Sequence, residues 1–134
     1  MKPVCDLILP CRDEARALTG LLPLVPDAFA VTVVDNGSVD ATADVAASFG
    51  ATVVREGVPG YGAAVHTGLL AARHDYVAFM DGDGSFDPAE LLAMLEEVRS
   101  GRADLAVGRR RPVSRGVWPW HARAGNALIV AWLR

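Results

Sequence analysis

The sequence predicts an α/β fold in which a mostly parallel sheet carries helices on both faces. Short apolar segments rich in β-branched residues alternate with segments of helical periodicity, which is the pattern of strands joined by crossover helices. Polar clusters follow directly after four of the predicted strands, and parallel strands end at one edge of their sheet. With 134 residues, 51% of them hydrophobic, the chain can bury the core of one domain, predicted to span residues 1–134.

The amino-terminal part is predicted to contain three strands and two helices. The strands are residues 4–9, 31–34 and 51–55, and the helices are residues 13–25 and 41–49. Pro10 ends the first strand, and Pro23 indicates that the first helix ends or kinks early. Ser38 or Asp40 can cap the second helix, and Gly50 closes it.

The carboxyl-terminal part begins with an alanine-rich helical run over residues 63–73 and a buried strand over residues 76–80. Asp87 and Pro88 are typical of a cap followed by a first helical position, and they predict a helix that Gly101 ends. Residues 105–107 predict a short fifth strand. The last apolar run, residues 124–133, is interpreted as a helix and is too short to span a bilayer.

Two carboxylates at the end of the buried strand are the strongest candidates for a functional site. Asp81 and Asp83 follow this strand, one residue apart, and Gly82 and Gly84 free the backbone to bend, so that both carboxylates can face one crevice. Like charges held close repel each other unless a cation lies between them, and oxygen ligands suit Mg2+ or Mn2+. The alternative is a turn with solvated carboxylates, since turns favour Asp and Gly.

Three other polar segments add candidates for ligand binding. Asp35 can accept hydrogen bonds from a nucleobase or ribose, or it forms an Asx-turn. The loop at Gly60 permits close backbone approach to a ligand, and the helix start that follows favours phosphate. Arg110 and Arg123 are candidates for holding a diphosphate, although a surface position fits each arginine as well. A P-loop is excluded, because the chain has no Gly-Lys-Ser/Thr sequence.

The net charge of −3 is unevenly distributed along the chain. Residues 1–98 carry five basic and fifteen acidic side chains, whereas residues 99–134 carry eight basic and one acidic. This basic segment, which also holds Trp118 and Trp120, indicates either peripheral contact with an anionic membrane or phosphate, or a solvated surface. No recognition motif accompanies it, so no nucleic-acid partner is expected.

Targeting and metal-site signals are few. No signal peptide opens the chain, which predicts a cytoplasmic location. Cys5 and Cys11 lack the spacing of a zinc site, and we assign no catalytic role to the three histidines, for which a solvated or packed position is expected.

Five motifs taken together resemble the family 2 glycosyltransferases of the GT-A fold, a Rossmann-like nucleotide-sugar-binding fold, and most closely the dolichyl- or polyprenyl-phosphate sugar synthases. The motifs are residues 9–14, 33–42, 60–64, 79–84 and 107–110. The resemblance implies a UDP- or GDP-sugar donor, a divalent cation (Mg2+ or Mn2+) and inversion at the anomeric carbon. It also suggests a polyprenyl phosphate as acceptor, at the cytoplasmic face of a membrane.

The resemblance assigns roles to individual residues. Pro10, Arg12 and Glu14 match the first nucleotide-contacting loop, and Asp35 matches the base-binding aspartate. Metal binding falls to Asp81 and Asp83, and catalysis to Asp83 and Arg110. The whole implied nucleotide-sugar site comprises Pro10, Arg12, Glu14, Asp35, Gly60, Asp81, Gly82, Arg110 and Arg123.

The sequence departs from this family at two points. Ser85 stands where polyprenyl-phosphate members usually have a glutamine that helps to hold the metal. Family members also continue beyond the position of Arg134, so we expect acceptor-side elements to be missing, and a catalytically incomplete nucleotide-sugar-binding remnant is the alternative. No general base is evident, which fits a phosphate acceptor that is already ionised at neutral pH and fits equally a base in the missing part.

A second enzyme class shares the central motif. Residues 81–85 also resemble the nucleophile motif of haloacid-dehalogenase-type phosphatases, in which Asp81 would attack phosphorus and Asp83 would act as acid and base. That chemistry also needs a downstream lysine, and the only lysine in the chain is Lys2.

Overall fold

The computed structural model describes residues 2–109 and the backbone of residues 129–132. Six strands are found in this part: β1 Cys5–Cys11, β2 Phe29–Asp35, β3 Thr52–Arg55, β4 Tyr76–Phe79, β5 Leu105–Val107 and β6 Ile129–Trp132. The four α-helices are α1 Ala15–Leu21, α2 Thr42–Ser48, α3 Tyr61–Leu70 and α4 Leu91–Arg99. Single 3-10 turns, Leu22–Leu24 and Pro88–Glu90, extend α1 and precede α4.

The strands form one sheet in the order β3-β2-β1-β4-β6-β5. β3, β2, β1 and β4 run parallel to one another, whereas β6 is antiparallel to both β4 and β5. The chain therefore crosses from the β1–β2–β3 side to β4 on the other side of β1, and this reversal of strand order creates a crevice at the carboxyl ends of the strands. The predicted mostly parallel α/β sheet is confirmed.

The interpretation of residues 124–133 as a helix is wrong for residues 129–132. These residues form β6, which inserts between β4 and β5 with Val77 opposite Ala131 and Ala106 opposite Val130. The periodicity of a short apolar run does not distinguish a strand from a buried helix. Here the backbone hydrogen bonds to two neighbouring strands stabilise the strand conformation. The rest of the run lies outside the described residues.

Helices cover both faces of the sheet, as predicted. On one face α1, α2 and α4 enclose the larger core, which contains Leu7, Leu9, Leu18, Val33, Ala46, Leu91 and Leu95. On the other face α3 packs over a smaller core, made of Ile8, Val34, Ala64 and Val77. Adjacent residues of β1 thus point into different cores, because side chains alternate along a strand.

Local signals at the helix ends behave largely as predicted. The Asp87 carboxylate accepts the Ala89 N–H at 2.9 Å, with Pro88 at the first position of the 3-10 turn. Gly50 and Gly101 adopt φ values of +83° and +80° after α2 and α4, the left-handed conformation that ends many helices. α1 ends at Leu21 and gives way to a 3-10 turn that contains Pro23, so the early end is confirmed.

One buried carboxylate was not anticipated as a structural group. Asp6 on β1 is 4% exposed and accepts the backbone N–H groups of Arg73 and His74 at 2.8 and 2.7 Å. The ring Nδ1 atom of His74 also lies 3.0 Å from Oδ2 of Asp6. Asp6 therefore holds the turn after α3 against the sheet, which explains a charged residue within an apolar strand.

No described helix is long and apolar enough to cross a bilayer.

We expect both cysteines to be almost unreactive in the folded protein. Burial, reinforced by nearby carboxylates, raises the pKa of Cys5 and of Cys11 to about 12. Since the thiolate is the reactive form, about one thiol in 10⁴ is ionised at pH 8. Labelling with a thiol-specific disulfide reagent should be about 1,000-fold slower than in unfolded protein and should keep rising with pH up to pH 10. Rapid labelling of folded protein at pH 7 would contradict this.

Candidate active site

The candidate site lies at the carboxyl ends of the three neighbouring strands β2, β1 and β4. Asp35 is the last residue of β2 and stands in register with Cys11, the last residue of β1. The Asn36 N–H, just beyond β2, donates to the Cys11 carbonyl at 2.9 Å. Asp81 and Asp83 follow β4 in a turn, so three of the four polar segments predicted to meet at one sheet edge do so. The fourth, which follows β5, continues outside the described residues.

Negative charges concentrate at this edge. Burial raises the pKa of Glu14 above its ordinary value, and repulsion from Asp83, Asp40, Asp13 and Asp81 adds to the effect. After burial, the largest causes of the raised Cys11 pKa are likewise Glu14, Asp35, Asp83 and Asp81. These shared effects show that carboxylates from three separate loops gather around the end of β1.

Ser85 interacts directly with the second aspartate of the pair. The Asp83 Oδ1 atom accepts the Ser85 N–H at 2.9 Å and the Ser85 hydroxyl at 2.5 Å. A carboxylate held through one oxygen keeps its other oxygen available as a ligand. Ser85, which stands where the resemblance predicts a glutamine, therefore orients the Asp83 carboxylate.

Two further loops are joined by side chain to backbone hydrogen bonds. At the start of α1 the N–H groups of Asp13 and Glu14 donate to the hydroxyls of Ser38 and Thr42, both at 2.9 Å. In return the Asp13 carboxylate, on a residue with φ of +55°, accepts the Val39 N–H at 2.7 Å. The prediction that Ser38 or Asp40 caps α2 is wrong, since the N-cap position is Ala41 and has no side-chain hydrogen bond. Both residues instead join the two loops, because Asp40 accepts the Thr42 N–H at 2.9 Å and the Ala15 N–H at 3.2 Å.

Asn36 fixes the loop that leads into α3. Its side-chain amide donates to the carbonyls of Glu56 and Val58 at 2.9 and 2.8 Å, and its oxygen accepts the Gly60 N–H at 2.9 Å. Gly60 has a φ of +123°, which L-residues rarely adopt, so glycine is required at the turn into the helix.

The fixed loop forms one wall of a cavity of about 240 Å³. Its lining residues are Pro10, Cys11, Arg12, Asn36, Gly60, Tyr61 and Ala64. Burial raises the pKa of the Tyr61 hydroxyl, and the charge of Asp81 raises it further. Gly82, between the two aspartates, packs against Pro10 and Cys11 of this cavity. Two larger cavities, of about 440 and 530 Å³, are lined by none of the residues predicted for the site.

Asp35 has partners from two directions. Its Oδ1 atom accepts the Ser38 N–H at 3.0 Å, three residues along the chain, instead of the N–H two residues along that an Asx-turn would use. Its Oδ2 atom lies 3.3 Å from Nη1 of Arg55, at the end of β3. Asp35 is 3% exposed, whereas the Arg55 side chain is 75% exposed.

Close packing positions the turn that carries the two aspartates. A methyl group added at Gly82 would overlap the sulfur of Cys11 and would lie 3.7 Å from the Pro10 carbonyl oxygen. Only glycine therefore lets the turn rest directly on the end of β1.

The structure groups most of the predicted site residues. Pro10, Arg12 and Gly60 line one cavity, and Glu14, Asp35, Asp81, Gly82 and Asp83 lie around the end of β1. Arg110 and Arg123 lie outside the described residues. Sequence reasoning missed Asn36, Arg55 and Tyr61 as parts of the site, although Arg55 ends its predicted strand and Asp35 directly follows the neighbouring one.

The donor set fits a hard divalent cation bound together with a phosphate ligand. Among residues 2–109, no three His, Cys, Asp or Glu side chains could hold a metal ion by themselves. Mg2+ is commonly bound through one or two carboxylates, with substrate phosphates and water completing the shell. Asp81 and Asp83 would supply those carboxylates.

Two curated relatives cover most of the chain. An uncharacterized glycosyltransferase of Mycobacterium tuberculosis is 48% identical over 126 residues, which represent 94% of this chain and 57% of the relative. The dodecaprenyl-phosphate galacturonate synthase of Rhizobium johnstonii is 31% identical over 123 residues, 79% of this chain and 36% of that protein. The chain thus spans little more than half the length of the more similar of the two.

Solved structures and a family model agree with these relatives. Mannosyl-3-phosphoglycerate synthase from Rubrobacter xylanophilus has a TM-score of 0.78 at 23% identity, covering 97% of this chain and 53% of that one, and supports the fold. Glucosyl-3-phosphoglycerate synthase from Mycobacterium tuberculosis, in complex with Mg2+ and UDP, has a TM-score of 0.66 at 26% identity, covering 77% of this chain and 42% of that one. The model for "Glycosyl transferase family 2" matches residues 6–131. The chain therefore belongs to glycosyl transferase family 2.

Proposed function

We propose that residues 1–134 form the donor-binding domain of a metal-dependent, inverting glycosyltransferase that uses a UDP- or GDP-sugar. The observation that carries the proposal is the position of Asp81 and Asp83, at the carboxyl end of β4, in a turn that packs against the cavity also lined by Arg12 and Gly60. Family membership and the UDP complex of a structural neighbour support the same donor class.

In this proposal each part of the edge has a separate task. The cavity and Asp35 bind the nucleoside, and Arg110 and Arg123 approach the diphosphate. Asp81 and Asp83 would hold Mg2+ or Mn2+, which when bound neutralises charge on the departing nucleoside diphosphate. The two hydrogen bonds that Ser85 donates to Asp83 orient its carboxylate for metal binding.

We further propose that the acceptor is a polyprenyl phosphate, reached at the cytoplasmic face of a membrane. The galacturonate synthase relative, named for a dodecaprenyl-phosphate product, supports this choice. A phosphate monoester has a second pKa of about 6, so it attacks the anomeric carbon without a general base. Direct attack on the face opposite the leaving group would invert that carbon, and NMR of the product would show the configuration.

The donor site is tested by calorimetric titration of UDP, GDP and their sugars, with and without Mn2+. We expect Mn2+-dependent binding that Asp83→Asn weakens by at least about tenfold, because even an outer partner of a metal ligand is worth roughly 10–100-fold in affinity. Asp75→Asn is the matched control, since Asp75 is exposed next to the opposite end of β4.

The outcomes separate three readings of the chain. Binding that Asp83→Asn weakens and Asp75→Asn leaves unchanged supports the donor site. Binding without sugar transfer or donor hydrolysis identifies the nucleotide-sugar-binding remnant. Folded protein that binds no nucleotide under any condition overturns the proposal.

A further inference from the structure

Arg55 and Asp35 form an ion pair at the edge where the nucleoside is proposed to bind. The two residues stand in register at the ends of β3 and β2, with Nη1 3.3 Å from Oδ2. The carboxylate is almost completely buried, whereas three-quarters of the arginine side chain is exposed. A base that reaches the Asp35 carboxylate must therefore also meet the Arg55 guanidinium.

The pair presents a defined pattern of hydrogen-bonding groups. A carboxylate only accepts hydrogen bonds and a guanidinium only donates them. The Oδ1 atom of Asp35 is already engaged by the Ser38 N–H at 3.0 Å, and Oδ2 is engaged by Arg55. Because each oxygen has two lone pairs, each can accept one more donor, and at Oδ2 that donor would lie beside the N–H groups of Arg55.

Nucleobases differ in how they match this pattern. Uracil and thymine carry one ring N–H between two carbonyl oxygens, so the N–H can donate to Asp35 while a carbonyl accepts from Arg55. Guanine carries two adjacent donors, a ring N–H and an amino group, which together would need both carboxylate oxygens. Its second donor would then compete with Arg55 or face the guanidinium's own N–H groups.

We infer that Arg55 is a specificity-determining residue, which selects a uracil- or thymine-type nucleotide over a guanine nucleotide. The inference rests on the proposed function, because it concerns the base of the same donor. It narrows the donor to the class of pyrimidine-dione nucleoside diphosphate sugars.

The test is a titration of UDP, dTDP, CDP and GDP, in the presence of Mn2+, into the wild-type protein and three variants. Arg55→Met removes the donors while keeping an apolar stem, Arg55→Lys retains a positive donor, and Arg99→Met removes an exposed arginine at the end of α4. We expect the wild type to prefer UDP or dTDP over GDP by about tenfold, as one charge-assisted hydrogen bond allows. CDP should bind weakly, because cytosine lacks the ring N–H.

Arg55→Met should reduce the ratio of UDP to GDP affinity by at least about fivefold, whereas Arg55→Lys should retain part of it and Arg99→Met all of it. Melting curves verify that each variant is folded. A wild-type protein that prefers GDP, or an unchanged ratio in folded Arg55→Met, overturns the inference while leaving the donor site intact. Absence of binding by all four nucleotides instead overturns the proposed function. A preference for UDP over dTDP, or the reverse, identifies which pyrimidine is the natural base.

Discussion

Replacing Gly68 with alanine should destabilise the protein by about 2–3 kcal/mol, a large fraction of the stability of a domain of this size. Gly68 lies in α3 where the helix crosses the sheet, and an added Cβ would overlap Cγ2 of Ile8 and lie 3.1 Å from Cγ2 of Val34. Both neighbours are fully buried branched side chains in the core beneath α3. Neither can rotate away without overlapping other atoms, so α3 itself must move.

The expected loss is a net value. Alanine is the better helix former by roughly 1 kcal/mol, so the overpacking must exceed that gain. Gly62→Ala is the matched control, because Gly62 lies in the same helix with nothing within 4 Å of an added Cβ. Denaturant unfolding should show a clear loss for Gly68→Ala and no loss for Gly62→Ala. Equal stability of the two variants would mean that the helix does not lie as close to β1 as described.

Most of the fold was predictable from the sequence because its signals are local. Alternating strand and helix patterns, the Asp87–Pro88 cap and the glycines at positions 50 and 101 each depend on a few neighbouring residues. The strand β6 was not predictable in the same way. Its four residues acquire their conformation from hydrogen-bond ladders with β4 and β5. Even β5, the nearer of the two in sequence, lies more than twenty residues away.

The residues of the candidate site also differ in whether local sequence or contacts between distant elements reveal their roles. Asp35, Asp81 and Asp83 were identified because each follows a strand, which the sequence alone reveals. The roles of Asn36 and Arg55 depend on the spacing between elements, since Asn36 bonds to a loop twenty residues later and Arg55 pairs across a strand. Register information of this kind was partly available, because Arg55 ends its predicted strand and Asp35 directly follows the neighbouring one.

Gly82→Ala should weaken Mn2+-dependent nucleotide binding by about 100-fold, the upper end of the roughly 10–100-fold that changes beside metal ligands cost in affinity, because it displaces both aspartates. The added methyl group would overlap the Cys11 sulfur. Cys11 is 3% exposed and terminates β1, so the turn bearing Asp81 and Asp83 is the part that must shift. Both proposed metal ligands would then move together.

The contact with Cys11 provides a direct test of this explanation. Cys11→Ala removes the sulfur, so the double variant Gly82→Ala/Cys11→Ala should regain nucleotide binding to within about tenfold of Cys11→Ala alone, a coupling of the size that contacting residues show. Calorimetric titration of the four proteins with the nucleoside diphosphate that the wild type binds closes the cycle. If the double variant binds as poorly as Gly82→Ala, the sulfur is not what excludes a side chain at this position. If it recovers, the geometry of the aspartate pair depends on a contact between β1 and the turn, and the buried thiol helps to set the position of the metal ligands.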